Sequence, residues 1–125
     1  MSEWTALIVE DESDSADVVS RILSYHNIEH QIAVTAEEAL QKLEGFHPTL
    51  LIVDLSLPGM DGWSFLNKIQ SNPATSDIQA VATTAYHSTE VAEEAITAGF
   101  RAYFPKPIEA TSFVRELEGI ISGDF

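Results

Sequence analysis

Residues 50–62 read LLIVDLSLPGMDG, and this stretch decides the fold. Its first four residues are apolar, as expected for a strand that is buried on both faces. Asp54 stands directly after that run, and Pro58 with Gly59 makes the following residues a turn-rich loop. Strands that are apolar along their whole length are typical of parallel sheets covered by helices on both faces. The stretch therefore predicts a buried parallel strand with a carboxylate at its carboxyl end.

Short apolar runs and longer amphipathic segments alternate in both directions from this strand. Thr35 with Glu38 matches a capping box that opens one of the helices. Five strands alternating with five helices indicate an α/β fold, an open doubly wound parallel sheet with right-handed crossovers. We predict strands at residues 5–9, 31–34, 50–53, 78–84 and 102–104. Ser13 or Asp14 is predicted to be the N-cap of the first helix, and the third helix is predicted to start at Asp61 and Gly62. Gly45 and Gly99 are predicted to end the second and fourth helices.

Composition and charge narrow the classes of function. The chain has 125 residues, which fits one domain over 1–125, and 20 acidic against 6 basic side chains give a formal charge of −14. This charge repels phosphate backbones and anionic lipids, so we expect no direct nucleic-acid binding and no membrane association. The lack of cysteine excludes disulfides and cysteine chemistry. No apolar run approaches the about 20 residues of a membrane span, and nothing resembles a signal peptide, so a soluble cytoplasmic domain is expected.

Polar side chains follow the strands at the edge of the sheet where ligands bind in this architecture. Glu10 and Asp11 follow the first strand, Asp54 ends the third, Thr84 ends the fourth, and Lys106 follows the fifth. Clustered carboxylates repel one another, so such a site takes up a proton unless a cation compensates. A hard divalent ion such as Mg²⁺ suits an all-oxygen site of this kind and can share its remaining positions with water and phosphate.

Four segments at these strand ends carry a resemblance to a known family. They are LIVEDE at residues 7–12, LIVDLSLPGMDG at 51–62, TTA at 83–85 and YFPKP at 103–107. With these segments the chain resembles the receiver domain of two-component response regulators over essentially its whole length. Each segment alone has low specificity, but the four occur in the right order and each at the end of the right strand. The resemblance implies a flavodoxin-like sheet of five parallel strands in the order 2-1-3-4-5.

The resemblance assigns the central chemistry to Asp54 and a metal ion. Asp54 would be the phosphoacceptor, because a carboxylate can attack a phosphoryl group to give an acyl phosphate. Asp11 and Asp54 would coordinate Mg²⁺ (or Mn²⁺) directly. Glu10 would coordinate it directly or through water, and Ser56 would contribute its backbone carbonyl.

Further roles implied by the resemblance concern the transferred phosphoryl group. Lys106 would pair with its oxygens, and Thr84 would form a hydrogen bond with another of them. Tyr103 resembles the switch aromatic of the family, which moves inward when the hydroxyl residue engages phosphate; an ordinary half-buried strand tyrosine is the alternative. Ser56 and Tyr86 occupy the two positions that tune the attack of water on the phosphoryl group, unless Tyr86 simply points to solvent.

The implied function is signalling and not turnover catalysis. The phosphoryl group would come from a sensor histidine kinase or a histidine phosphotransfer protein, and the signal would pass to an unknown downstream protein. With no output domain visible, we expect it to leave through the face of the fourth helix, fifth strand and fifth helix, coupled to Thr84 and Tyr103. A phosphorylation-dependent dimer is compatible with this scheme. The resemblance also supports a cis peptide bond between Lys106 and Pro107.

Three other classes of protein are alternatives. An FMN-carrying electron-transfer protein of similar topology would need a Ser/Thr/Gly-rich phosphate loop where the acidic run EDE stands at residues 10–12. An Asp-nucleophile phosphohydrolase would carry a second Asp two positions after Asp54, where Ser56 stands. A phosphorylation-independent pseudo-receiver would usually have lost Asp54 or Lys106. The four histidines, at positions 26, 30, 47 and 87, show no shared metal-binding spacing and are predicted to be surface residues.

Overall fold

The computed structural model describes residues 4–123. Its strands are β1 Thr5–Val9, β2 Glu29–Ala33, β3 Leu50–Asp54, β4 Gln79–Thr84 and β5 Tyr103–Pro105, and its helices are α1 Ser13–Tyr25, α2 Ala36–Lys42, α3 Gly62–Ser71, α4 Thr89–Ala98 and α5 Phe113–Ser122. The strands form one parallel sheet in the order β2-β1-β3-β4-β5, which confirms the predicted doubly wound α/β fold. Within the described residues, no helix is long and apolar enough to cross a bilayer.

Two hydrophobic cores cover the two faces of the sheet. β3 is buried along its whole length, as its apolar run predicts. Leu51 and Val53 point into the core that α2, α3 and α4 cover, whereas Leu50 and Ile52 point into the core that α1 and α5 cover. This alternation is the two-residue period of a strand. Packing on both faces fixes the strand register, and the register sets where the residues at the strand ends lie.

The element boundaries differ from the predicted ones by a few residues. α1 begins at Ser13 with Glu12 as its N-cap, so neither Ser13 nor Asp14 holds the N-cap position. α2 ends at Lys42, before Gly45, because turn hydrogen bonds replace the helical ones there. β2 starts at 29 and not at 31, and β5 starts at 103 and not at 102, since pairing with the neighbouring strand sets their limits.

The predicted caps of α2, α3 and α4 are confirmed. The Thr35 hydroxyl accepts a hydrogen bond from the Glu38 N–H at 2.9 Å, as a capping box requires. The Glu38 carboxylate accepts its bond at 2.8 Å from the N–H of Val34, one residue before the N-cap, and not from Thr35 itself. The Asp61 carboxylate caps α3. Gly99 closes α4 with a φ of 124°, a backbone conformation that favours glycine.

Gly62 allows α3 to begin in direct contact with the end of β3. A Cβ atom at this position would lie 2.7 Å from the backbone oxygen of Asp54 and 2.9 Å from the Cα of Leu55. The Gly62 N–H also donates a hydrogen bond to the Leu55 carbonyl at 3.3 Å. The loop after β3 therefore folds back against the strand end that carries Asp54, and only glycine fits at the point of closest approach.

Candidate functional site

The sheet register brings the residues predicted for the site to one edge of the sheet. Glu10 and Asp54 stand at equivalent positions on adjacent strands, because Val9 and Val53 pair in the β1–β3 ladder. Thr84 ends the neighbouring strand β4. Lys106 follows β5, and its N–H donates a hydrogen bond to the Thr84 carbonyl at 2.8 Å.

Three carboxylates converge at this edge. Glu10, Asp11 and Asp54 each offer an oxygen atom, and these atoms all lie within 4.8 Å of one another. Only 5% of Glu10 and 4% of Asp54 is accessible to solvent, whereas Asp11 is exposed. Two of the three negative charges are therefore largely removed from water, which makes their ionisation sensitive to a neighbouring cation.

Lys106 supplies a positive charge to the carboxylates. Its ammonium nitrogen lies 2.6 Å from Glu10 Oε1, 3.6 Å from Asp54 Oδ2 and 3.9 Å from Glu12 Oε1. The side chain is only 13% exposed. The peptide bond between Lys106 and Pro107 is cis, as predicted. Lys106 thus bridges the two buried carboxylates and donates its hydrogen bond to Glu10.

Burial and the surplus of acidic groups shift the ionisation of the site. Burial raises the pKa of Glu10 to about 7, with a further rise from the charge of Asp54, and the hydrogen bond from Lys106 offsets part of this effect. Burial also acts to lower the pKa of Lys106. The hydrogen bond to Glu10 and the charges of Asp54, Glu10 and Glu12 outweigh it, so the pKa of Lys106 is raised. The site therefore favours added positive charge.

The donor set fits a divalent metal ion. Glu10, Asp11 and Asp54 present oxygen atoms close enough to share one ion. Hard cations such as Mg²⁺ and Mn²⁺ prefer oxygen ligands. The single ammonium of Lys106 cannot balance three carboxylates, so an additional cation would relieve their repulsion.

A tight turn orients Asp54. Its Oδ1 accepts a hydrogen bond from the Ser56 N–H at 3.2 Å, while Oδ2 faces Lys106. Ser56 itself is exposed. One carboxylate oxygen is therefore held by the backbone and the other by the lysine, which limits rotation of the Asp54 side chain. The assignment of the Ser56 carbonyl as a metal ligand stays a prediction.

Thr84 ends β4, the strand that pairs with the strand of Asp54. Only 2% of Thr84 is exposed. Its hydroxyl oxygen accepts a hydrogen bond from the Tyr86 N–H at 2.9 Å, which leaves the hydroxyl proton available for donation. The Tyr86 side chain is 72% exposed. The backbone of Tyr86 is thus tied to Thr84 while most of its ring faces solvent.

Tyr103 has a partner that the sequence reasoning missed. His87 is exposed, as predicted, but its Nδ1 lies 2.7 Å from the Tyr103 hydroxyl. The two rings stack with centroids 5.6 Å apart and planes 29° from parallel. The pattern of histidine spacing could not reveal this contact, because the two residues are 16 positions apart, His87 in the loop before α4 and Tyr103 in β5.

A cavity of about 360 Å³ opens beside Glu10 and Lys106. Glu10 and Lys106 line it towards the site, and Val18, Pro107 and Ile108 line it towards α1 and the loop after β5. The cavity therefore adjoins Glu10 and Lys106, whereas Asp11 and Asp54 lie outside its lining.

Comparison with known protein families gives one match over most of the chain. The family model described as the response regulator receiver domain matches residues 6–118. These residues include four whole strands, all of β1 except Thr5, and every residue predicted for the site. An uncharacterised 14.6 kDa protein in the sodA1 3′ region of Leptolyngbya boryana is 30% identical over 115 residues, which are 92% of this chain and 88% of that protein.

Solved response-regulator structures resemble the chain over almost its whole length. A protein described as a response regulator from Chloroflexus aurantiacus J-10-fl has a TM-score of 0.90 and 29% identity, covering 97% of this chain and 99% of that one. A CheY-like response regulator receiver domain protein from Methanospirillum hungatei JF-1 has a TM-score of 0.86 and 29% identity, covering 98% and 96%. The chain spans only 22% to 50% of the length of the named regulatory proteins that it matches.

Proposed function

The chain belongs to the response regulator receiver domain family, and we propose that Asp54 is its phosphoacceptor in a two-component or phosphorelay system. The observation that carries this proposal is the position of Asp54, buried at the carboxyl edge of the sheet beside Glu10 and Lys106. Receiver domains are parts of signalling proteins and not a family of turnover enzymes. We also propose that residues 1–125 form one receiver domain, since one sheet takes its strands from residues 5–105.

The proposed step is a displacement at phosphorus. A carboxylate oxygen of Asp54 attacks the phosphorus of a phosphohistidine or of a small phosphodonor. The new O–P bond forms as the P–N bond, or the P–O bond of the small donor, breaks, and the electron pair of that bond leaves with the donor. Such transfers depend on positioning and on neutralisation of charge. The turn at Ser56 and the ammonium of Lys106, which orient Asp54, support this role.

We propose that Mg²⁺ (or Mn²⁺) is held by Asp11, Asp54 and Glu10, with the Ser56 carbonyl as a further ligand. The family typically uses Mg²⁺, and the carboxylate cluster matches that use. When bound, the ion supplies positive charge that offsets the charges of the carboxylates and the phosphoryl oxygens. Lys106 would pair with phosphoryl oxygens, since its ammonium nitrogen lies 3.6 Å from Asp54 Oδ2. Its raised pKa keeps it charged for that role.

The phosphorylated state is proposed to pass the signal through a surface. Thr84 would donate its hydroxyl proton to a phosphoryl oxygen, and Tyr103 would follow inward and change the face formed by α4, β5 and α5. The partners would be a histidine kinase or phosphotransfer protein upstream and an unidentified protein downstream, with dimerisation as one form of output. A cytoplasmic location stays a prediction of the same scheme.

Intact mass spectrometry after treatment with acetyl phosphate and Mg²⁺ tests the phosphoacceptor. The wild type should gain the mass of one phosphoryl group, and Asp54→Asn should gain none. Asp61→Asn is the matched control, because Asn also caps helices and Asp61 lies at the start of α3 outside the carboxylate cluster. Equal labelling of wild type and Asp54→Asn would contradict the assignment. No labelling of either would favour a phosphorylation-independent pseudo-receiver.

A further inference from the structure

We propose that His87 is a positioning residue that holds the half-buried Tyr103 side chain in the orientation seen here and so opposes the conformational change that follows phosphorylation. This role rests on the proposed phosphoacceptor function of Asp54. His87 lies outside every sequence segment that carries the family resemblance. The role follows from the contacts around the Tyr103 side chain.

The Tyr103 hydroxyl is held from two sides. The Ser88 N–H donates to the hydroxyl oxygen at 3.3 Å. The hydroxyl proton is then free to be donated to His87 Nδ1, 2.7 Å away, when the imidazole is in the tautomer that accepts at Nδ1. The imidazole also lies roughly parallel to the phenol ring, with the two centroids 5.6 Å apart. Two hydrogen bonds and a ring contact thus fix one orientation of Tyr103.

These contacts belong to a continuous segment that starts at Thr84. The Thr84 hydroxyl accepts from the Tyr86 N–H at 2.9 Å, and His87 and Ser88 follow directly. Ser88 is the N-cap of α4, and its hydroxyl accepts from the Val91 N–H at 3.1 Å. The segment is therefore anchored to the site at one end and to α4 at the other, with Tyr103 bound in its second half.

An inward turn of the Tyr103 ring would break these contacts. His87 lies in an exposed loop, so a Tyr103 ring that turned inward would no longer contact the His87 imidazole. The orientation seen here is favoured by whatever free energy the contacts contribute, and a ligand that needs the inward orientation must supply that free energy. Weakening the His87 contact should therefore lower the apparent dissociation constant of such a ligand.

Two substitutions of His87 separate its hydrogen bond from its ring contact. His87→Phe keeps a stacked ring and removes the acceptor, whereas His87→Asn keeps an acceptor near the Nδ1 position and removes the ring. The probe is beryllofluoride, a phosphoryl mimic, with Mg²⁺, and its affinity is measured by titration calorimetry. We expect His87→Phe to bind about three- to tenfold more tightly than wild type, the factor that one neutral hydrogen bond contributes. His87→Asn should bind like wild type.

A second readout needs neither ligand nor metal. The chain has three tyrosines, so the ring signal of Tyr103 can be followed by NMR with labelled tyrosine. In His87→Phe that signal should move towards its position in the beryllofluoride complex of the wild type. In a Tyr103→Phe background, His87→Phe should leave the affinity unchanged, because the hydroxyl on which His87 acts is gone.

The outcomes distinguish this role from the function on which it rests. Equal affinity of His87→Phe and wild type overturns the positioning role, as does an effect of His87→Phe that persists in the Tyr103→Phe background. If wild type binds beryllofluoride no better than Asp54→Asn does, the phosphoacceptor function fails and the role of His87 fails with it. Thermal melts of each variant check that the fold is intact.

Discussion

The ammonium nitrogen of Lys106 lies 2.6 Å from Glu10 Oε1, so the lysine of the site is hydrogen-bonded to Glu10 and not to Asp54. The nearest oxygen of Asp54 is a full ångström further away, at 3.6 Å. Glu10 thus has two roles in the site. It orients Lys106 towards the site, and it is one of the three carboxylates that can share a metal ion.

Loss of the Glu10 charge should weaken metal binding. Glu10→Gln keeps the size of the side chain but removes one of three negative charges, so we expect the Mg²⁺ dissociation constant to rise by about tenfold or more. Glu12→Gln is the control, since Glu12 is 67% exposed and lies outside the carboxylate cluster. Titration calorimetry measures both variants. A Glu10→Gln protein that binds Mg²⁺ as tightly as Glu12→Gln would contradict this assignment.

The raised pKa of Glu10 predicts a pH dependence of stability without metal. The pKa is about 7 in the folded protein against an ordinary 4.5, so between these values the folded state holds a proton that the unfolded state has lost. The free energy of unfolding should therefore fall as pH rises from about 4.5 to about 7. Glu10→Gln should lack this contribution to the pH dependence of the free energy of unfolding.

Urea unfolding with a chelator at about pH 5 and about pH 8 tests the sign. Relative to Glu10→Gln, the wild type should lose stability between the two pH values. Because all other groups titrate in both proteins, the comparison isolates Glu10. If the free energies of unfolding of wild type and Glu10→Gln differ by the same amount at both pH values, the pKa of Glu10 is not raised.

Gly62 should be intolerant of any side chain. Gly62→Ala puts a Cβ atom 2.7 Å from the Asp54 carbonyl oxygen, and backbone atoms cannot yield as a flexible side chain can. We expect a loss of about 1–3 kcal/mol in the free energy of unfolding. Gly45→Ala is the matched control, because a Cβ there meets nothing within 4 Å. Equal stability of the two variants in urea unfolding would refute the close-approach argument.

The sequence was sufficient to predict the sheet and the main members of the site. Apolar runs such as 50–53 identify the strands, and parallel strands end at one edge, so Glu10, Asp54 and Lys106 could be grouped without coordinates. Helix ends were less predictable. Glu12 is the N-cap of α1 although its side chain makes no capping hydrogen bond, and no residue preference identifies such a cap.

The sequence could not show which side chains within the site contact each other. That Lys106 donates to Glu10 and not to Asp54 depends on a difference of 2.6 Å against 3.6 Å, which follows from tertiary packing. The contact of His87 with Tyr103 joins two residues 16 positions apart, and an exposed histidine in a loop carries no sequence signal for it. Contacts of this kind can be identified only from the three-dimensional structure.

Thr84 should couple the site to the α4–β5–α5 face. In the wild type, beryllofluoride with Mg²⁺ should shift backbone NMR signals near Tyr103 and in α5 as well as around Asp54. Thr84→Ala removes the hydroxyl that is tied to the Tyr86 N–H, so the distant shifts should shrink while those around Asp54 remain. Thr84→Ser keeps the hydroxyl and should behave like wild type. Distant shifts of full size in Thr84→Ala would contradict the coupling.

Tyr86 should slow the loss of the phosphoryl group by partly covering it. Hydrolysis needs a water molecule in line with the bond that breaks, so a group in that approach slows the step. The backbone of Tyr86 is fixed to Thr84 by a 2.9 Å hydrogen bond, which keeps its side chain near the site. The ring is 72% exposed, so it can shield only in part.

Tyr86→Ala should accordingly lose phosphate about two- to fivefold faster than wild type, well below the tenfold that 1.4 kcal/mol of barrier would give. Tyr86→Phe separates shielding from hydrogen bonding, because it keeps the ring and loses only the hydroxyl; its decay rate should match wild type. The decay of the phosphorylated proteins is followed by intact mass, and Mg²⁺ affinity should stay the same in all three. A Tyr86→Ala decay rate equal to or below that of wild type would mean that the ring faces solvent and takes no part in setting the lifetime.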